Sequence, residues 1–293
     1  MNNILGNKKY IAIFVLPTLL FYISFVFFPI IWNMYLSMFR TDLMSQNAFI
    51  GFKNYTNLFH DQFFIMSLKN NILMIIGSLL AHMPLALFFG NALFHKIKGS
   101  KLFQSIFFLP TIICGVAVGM MFNFVYNSEF GLVNKILELF NLSDFKMPWL
   151  ESEKTVMAAL IVVVMWRFVG YHMVIQLAAM KAIPASLYEA SSLDGASEWQ
   201  QFTNVTFPLI KHILKIDVIL IITGSLKYYD LIAVMTKGGP NHASEVMSTY
   251  MFYQGFRTMK YGYASAIGMI LLLLCVLVIW SVNTFVKTEN LEY

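Results

Sequence analysis

The residues best suited to chemistry lie inside otherwise apolar stretches. Arg167, Tyr171 and His172 fall within five residues of one another, with Gly170 between them. Ser225, Lys227 and Tyr228 close a second apolar run, Thr223 precedes them and Tyr229 and Asp230 follow, while Asn123 lies near the end of a third. Planar polar groups beside aromatic rings suit a polyhydroxylated ligand, since a pocket uses a few placed polar groups to fix orientation and apolar faces for contact. An ionisable group at membrane depth is costly and marks a candidate pathway. The opposing reading is structural: Arg167 and Lys227 snorkel, or pair with Asp217 or Asp230. Three potential cations, Arg167, His172 and Lys227, would also suit an anionic ligand.

A second group sits in a polar stretch between two long apolar ones, Glu189-Ala190-Ser191-Ser192-Leu193-Asp194-Gly195. Pro184 suits the first position of a helix and Gly195 a left-handed stop, which predicts a helix over Ala185–Asp194. Leu187, Ala190, Ser191 and Asp194 then share one side, with small residues beside Glu189. Small side chains admit close approach, and the carboxylate offers a charged handle. Ser197 and Gln200 have the spacing of a capping box, so a second short helix begins there. Pro208 marks the start of the next long helix.

The elements that position these groups are membrane helices. Of 293 residues, 58% are hydrophobic and only 12% charged, with mean hydropathy +0.68; a soluble domain of this size needs far more charge. A span takes about 20 apolar residues. Six segments qualify: 10–39, 68–94, 102–126, 155–180, 208–229 and 261–286. Together they predict a single domain, an all-α polytopic membrane protein over 1–293 with the polar segment 184–207 on one side. The first span follows Lys8-Lys9 and is read as an uncleaved targeting signal; its Pro17 and Pro29 predict a kink. Lys211, His212, Lys215 and Asp217 make the fifth span the least apolar.

The short basic loop after the second span (His95, Lys96, Lys98, Lys101) points to the cytoplasm, and the acidic segment 127–154 to the outside. An even number of spans puts both termini on one side, the cytoplasm. Ser244–Phe256 is long enough for a helix on the outer membrane surface. Cys114 and Cys275 lie in apolar runs and read as packing residues. There is no His-Glu-x-x-His and no Gly-Lys dipeptide. That leaves no intramembrane metalloprotease signature, no P-loop, no metal ligand set and no catalytic pair. A net charge of +5 reads as membrane anchoring, not nucleic-acid binding.

Glu189-Ala190-Ser191, three residues, Gly195, nine residues and Val205-Thr206-Phe207-Pro208 resemble the signature of permease subunits of binding-protein-dependent ABC importers. The departures from that pattern (Ser191 for Ala, Val205 for Ile, Phe207 for Leu) conserve size or character. Lys181-Ala182-Ile183-Pro184, Trp166-Arg167, Asp230-Leu231-Ile232, Thr236-Lys237-Gly238-Gly239-Pro240 and Tyr261-Gly262-Tyr263-Ala264 extend the likeness to the maltose and multiple-sugar branch.

The resemblance implies a type I importer permease with six spans and a cytoplasmic coupling helix. Leu187, Tyr188, Glu189, Ala190, Ser191, Asp194 and Gly195 would dock in an ATPase cleft. Arg167, Tyr171, His172, Ser225, Lys227, Tyr228 and Asn123 would line the sugar pathway, and the three potential cations among them would suit an acidic sugar. The partners would be a second homologous permease, two ATPase subunits that bind the ATP and magnesium, and an extracellular solute-binding protein. The place would be a bacterial plasma membrane. The competing class is a stand-alone ion-coupled transporter using Asp217 or Asp230.

Overall fold

The computed structural model describes residues 8–44, 47–95 and 98–286. Lys96 in the basic loop and both termini lie outside the described residues. Two compact units are present: one holds the described residues through Asp61 with Met251–Leu272, the other Gln62–Tyr250 with the chain from Leu273.

In the first unit α1 (Lys8–Tyr22) passes through a π turn (Ile23–Phe27) into α2 (Phe28–Ser37). Helices are joined by one departure from the all-α expectation, an antiparallel pair, β1 (Phe39–Thr41) and β2 (Asn47–Phe49), in register Phe39↔Phe49. The Phe39 and Phe49 rings meet edge to face across it at 5.3 Å, a stabilising cross-strand pair. Helix α3 (Lys53–His60) follows, and Asn54 donates to the carbonyls of Ser37 (2.8 Å) and Phe39 (2.9 Å), closing the end of α2.

The second unit carries the candidate site. Its frame is α4 (Gln62–Phe94), α5 (Ser100–Ile112), α6 (Gly115–Val125) and α8 (Val156–Lys181), with α7 (Leu132–Leu139) between α6 and α8. Beyond α8 come α9 (Ala185–Leu193), α10 (Glu198–Gln201), α11 (Phe207–Leu226), α12 (Asp230–Met235) and α13 (Met247–Phe252). The last helix, α14 (Tyr261–Phe285), is shared with the first unit. Helix α8 is the centre: Val156, Leu160, Val163, Val164, Met173, Leu177 and Met180 are buried, and His172 and Gln176 are buried on the opposite side, as expected of a helix packed around most of its circumference.

By length and hydropathy four helical runs can cross a membrane, Ala12–Ser37, Gln62–Phe94, Val156–Lys181 and Tyr261–Phe285. The segment expected as one span over 102–126 is instead a broken pair, α5 and α6 bent by 97°. The break falls at Ile113–Cys114, both in extended backbone. Helix α11 has 20 residues, but Lys211, Lys215 and Asp217 keep it out of that apolar set.

The long α-helix begins at Phe207 with Pro208 in its first turn, as expected, but no break in helical backbone precedes it. Backbone from Glu198 to Leu226 is helical throughout, with a π turn at Phe202–Thr206. Proline removes one N–H and crowds the carbonyl four residues back; the wider π turn lies where that conflict falls. Pro29 repeats the arrangement, two residues beyond the π turn at Ile23–Phe27. The surface helix expected over Ser244–Phe256 also differs: Val246 to Tyr250 are consecutively buried. Asn71, itself buried, explains the anchoring. Its amide donates to the terminal carbonyls of α11 at Ser225 and Leu226 (3.1 and 3.2 Å), and its oxygen accepts from the Met247 N–H (2.9 Å).

Candidate coupling segment and membrane polar sites

Helix α9 is short and none of its residues is fully buried. Glu189, Ala190, Asp194 and Gly195 are exposed, as is Leu187, while Tyr188 and Ser191 are half-buried. Gly195 adopts φ +76°, the left-handed stop that its position required. Ser197 then caps α10 in a full capping box: its Oγ accepts from the Gln200 N–H, and the Gln200 side chain accepts from the Ser197 N–H at 2.8 Å. Such a cap is worth about 1 kcal/mol.

Tyr188 faces the protein. Its hydroxyl meets the Thr206 hydroxyl at 2.9 Å and its ring lies 5.2 Å from that of Phe94. Beneath it pack Met180, Ile183, Ile210 and Leu214. Burial pushes its phenol pKa up, opposed by the Thr206 hydrogen bond. Of the expected docking residues, then, one anchors the segment and the remainder present it.

The membrane candidates fall into two separate constellations. Arg167 Nη1 donates to Asp230 Oδ2 (3.0 Å) and to the Tyr228 hydroxyl (3.5 Å), and Nη2 donates to the Ile113 carbonyl (3.2 Å). Asp230 also accepts from the Leu231 N–H through Oδ1. Thr111 donates to the Arg167 carbonyl at 2.8 Å. One guanidinium therefore joins the break between α5 and α6 to the start of α12. The structural reading of Arg167, a pair with Asp230, is what the geometry shows.

The second constellation is His172, Gln176 and Asp217, all buried. His172 Nδ1 donates to Asp217 Oδ1 (2.7 Å) and Gln176 Nε2 to Asp217 Oδ2 (2.7 Å). His82, one of the scattered histidines, lies with its ring 4.9 Å from that of His172 and Nε2 on the Val164 carbonyl at 3.3 Å. Sequence reading missed Gln176 and His82; the four-residue step from His172 to Gln176 along α8 was the available signal.

Two of the three cations thus have carboxylate partners within the chain, and the case for an acidic cargo rests on Lys227, exposed at the end of α11. Tyr171 is half-buried beside His172 at 5.2 Å, and Ser225 is buried under Asn71. Asn123 stands apart, lining a cavity of about 450 Å³ with Tyr126, Asn127, Glu151, Thr236 and Pro240. No cluster of three metal-ligating side chains occurs among the described residues.

Replacing Asp217 with alanine leaves two buried donors without an acceptor, each costing about 1–3 kcal/mol. The expected result is a lower melting temperature and reduced protein level in membranes. Asp217→Asn, which keeps one acceptor, loses less; equal losses in a thermal-stability assay on detergent-solubilised protein would refute the assignment.

Residues 82–288 match the model of a family described as binding-protein-dependent transport system inner membrane component. The chain is 36% identical over 289 residues to a probable ABC transporter permease, YurN, of Bacillus subtilis, covering 98% of this chain and 99% of that protein. It is 33% identical to GgtC of Synechocystis, a permease for uptake of osmoprotective compounds, over 95% of this chain and 100% of that one. AmyD of Thermoanaerobacterium thermosulfurigenes, a probable permease for starch degradation products, is 30% identical with 93% of each chain covered. Among solved structures, a chain of a bacterial ABC transporter that imports alginate superposes with TM-score 0.81 at 24% identity, over 94% of both chains. That last likeness establishes the fold, a type I importer permease.

Proposed function

The chain belongs to the binding-protein-dependent transport system inner membrane component family, and from that premise we propose that it is the membrane permease of an ABC importer for a sugar or oligosaccharide. The observation that carries this is the likeness over more than nine-tenths of both chains to permeases named for starch degradation products and multiple sugars, joined by one named for diacetylchitobiose over 76% of this chain. The protein is multi-pass; the proposed orientation puts α9 and both termini in the cytoplasm of a bacterial cell.

In this reading α9 docks on a separate ATPase subunit through exposed Glu189, and a second permease completes the pore. Closure of the ATPases displaces α9. Tyr188 passes that displacement to α4 through Phe94 and to the π turn before α11 through Thr206. The helices alternate between outward and inward access, and an extracellular binding protein delivers the sugar. Tyr171, Tyr228, Ser225, Lys227, His172 and Asn123 are the proposed pathway groups, with Arg167 holding Tyr228 and Asp230 in place. In the same reading ATP and magnesium belong to the ATPases.

The test is reconstitution. The chain is placed in liposomes with the second permease, ATPase and binding protein encoded by neighbouring genes, after the binding protein has been screened for its sugar. Uptake is expected to need ATP inside and the binding protein outside. Uptake by the chain alone, driven by a proton or sodium gradient, would establish the ion-coupled transporter instead.

A further inference from the structure

We propose that α7 is an interfacial anchor: a helix lying along the outer membrane surface with one face in lipid, one on the protein and one in water. The sequence around it splits three ways. Val133 packs on the core and Asn134 is buried, so one side faces the protein. Leu132 (57% exposed), Ile136 (44%), Leu139 (79%) and Phe140 (69%) sit at helical spacing on an adjoining side. Lys135 and Glu138 occupy the third, where Glu138 pairs with Lys146.

What covers the apolar side follows from the height at which α7 is held. Asn134 donates to the Ser128 and Met147 carbonyls (3.1 and 3.2 Å) and accepts from Trp149 Nε1 (2.8 Å). The Trp149 carbonyl in turn accepts from Thr155 Oγ1 at 2.9 Å. Thr155 is the residue that precedes α8. Helix α8 has 26 residues, about 39 Å, against a hydrocarbon core of about 30 Å, so its ends stand in the headgroup layer. Asn134 and Trp149 therefore fix α7 at that depth, where amphipathic helices bury an apolar face. Tryptophan at this level is itself an interfacial anchor.

The surface is also continuous with the apolar exterior of the preceding helix. Val116, Met120 and Phe124 form an exposed stripe along α6, and Phe130 leads from it to Leu132. Phe145 and Met147, on the returning segment, are exposed beside it in the chain. The occupant is the lipid of the outer leaflet, not a protein.

The experiment uses the full chain with Cys114→Ala and Cys275→Ala, in nanodiscs of phosphatidylethanolamine and phosphatidylglycerol. Single nitroxide labels are placed through Leu132→Cys, Ile136→Cys, Leu139→Cys and Phe140→Cys, and through Lys135→Cys and Glu138→Cys. All six positions are exposed, so labels there leave the core intact. Power saturation should show the four apolar positions open to oxygen and shielded from a water-soluble nickel chelate, with the reverse at positions 135 and 138. Nickel access at the apolar positions, whether or not the binding protein later shields them, would overturn the proposal; so would access to neither reagent. A label at exposed Val162 on α8 reports membrane insertion separately, since failure there would refute the membrane reading itself.

Discussion

Glu189→Lys is expected to abolish ATP-driven uptake while the protein level, melting temperature and membrane insertion stay at wild-type values. Glu189 is exposed on α9 and makes no ion pair among the described residues, so reversing its charge leaves the fold alone. Under the proposed docking, the same change places a cation where the ATPase cleft receives a carboxylate. Truncating one partner of a desolvated charge pair costs about 2–5 kcal/mol, and a like-charge juxtaposition costs more. At about 1.4 kcal/mol per tenfold in affinity, docking is expected to weaken by at least about 30-fold. Co-purification of the ATPase with tagged permease, alongside uptake, checks this. Wild-type co-purification would remove Glu189 from the contact; lost uptake with the ATPase still bound would assign it to transmission instead.

The second large effect belongs to Gly170. A Cβ there would lie 1.9 Å from the Phe107 carbonyl oxygen, a backbone atom on α5. Gly170→Ala therefore forces α5 and α8 apart, and the displacement is felt at both constellations on α8, because Arg167 and His172 flank the position. Overpacking a tight contact costs about 1–3 kcal/mol where side chains can shift; here the obstacle is backbone, and the expected result is loss of folded protein from the membrane. Small residues at helix crossings are how membrane bundles achieve close approach. Normal yield and melting of Gly170→Ala would mean the two helices are further apart than described.

Much of the candidate coupling segment was legible because its signals are local. Pro184, Gly195 and the Ser197–Gln200 spacing each act within one helical turn, and the helix, its left-handed stop and the capping box appear where those residues put them. The membrane sites were legible as residue types but not as partnerships. Arg167 reaches Asp230 across 63 positions of sequence and His172 reaches Asp217 across 45; spacing named the carboxylates without assigning them. The broken pair was hidden for a different reason. Hydropathy sums composition along a window, and a 97° bend within an apolar run changes no sum. Pro110 lies inside α5, three residues before the break, so it did not mark the place. The outer segment failed because amphipathicity was assumed: residues 246–250 are enclosed all round, which leaves no stripe to read.

The π turn before Pro208 gives the chain a mechanical character. Had the proline broken the helix, the proposed docking turn and the membrane would be joined by a swivel that dissipates a push. With helical backbone unbroken from Glu198 to Leu226, the link is a push-rod of about 40 Å at 1.5 Å per residue. Under the proposed docking, a stroke delivered beside Trp199 would emerge at Ser225 and Leu226, whose carbonyls accept from Asn71.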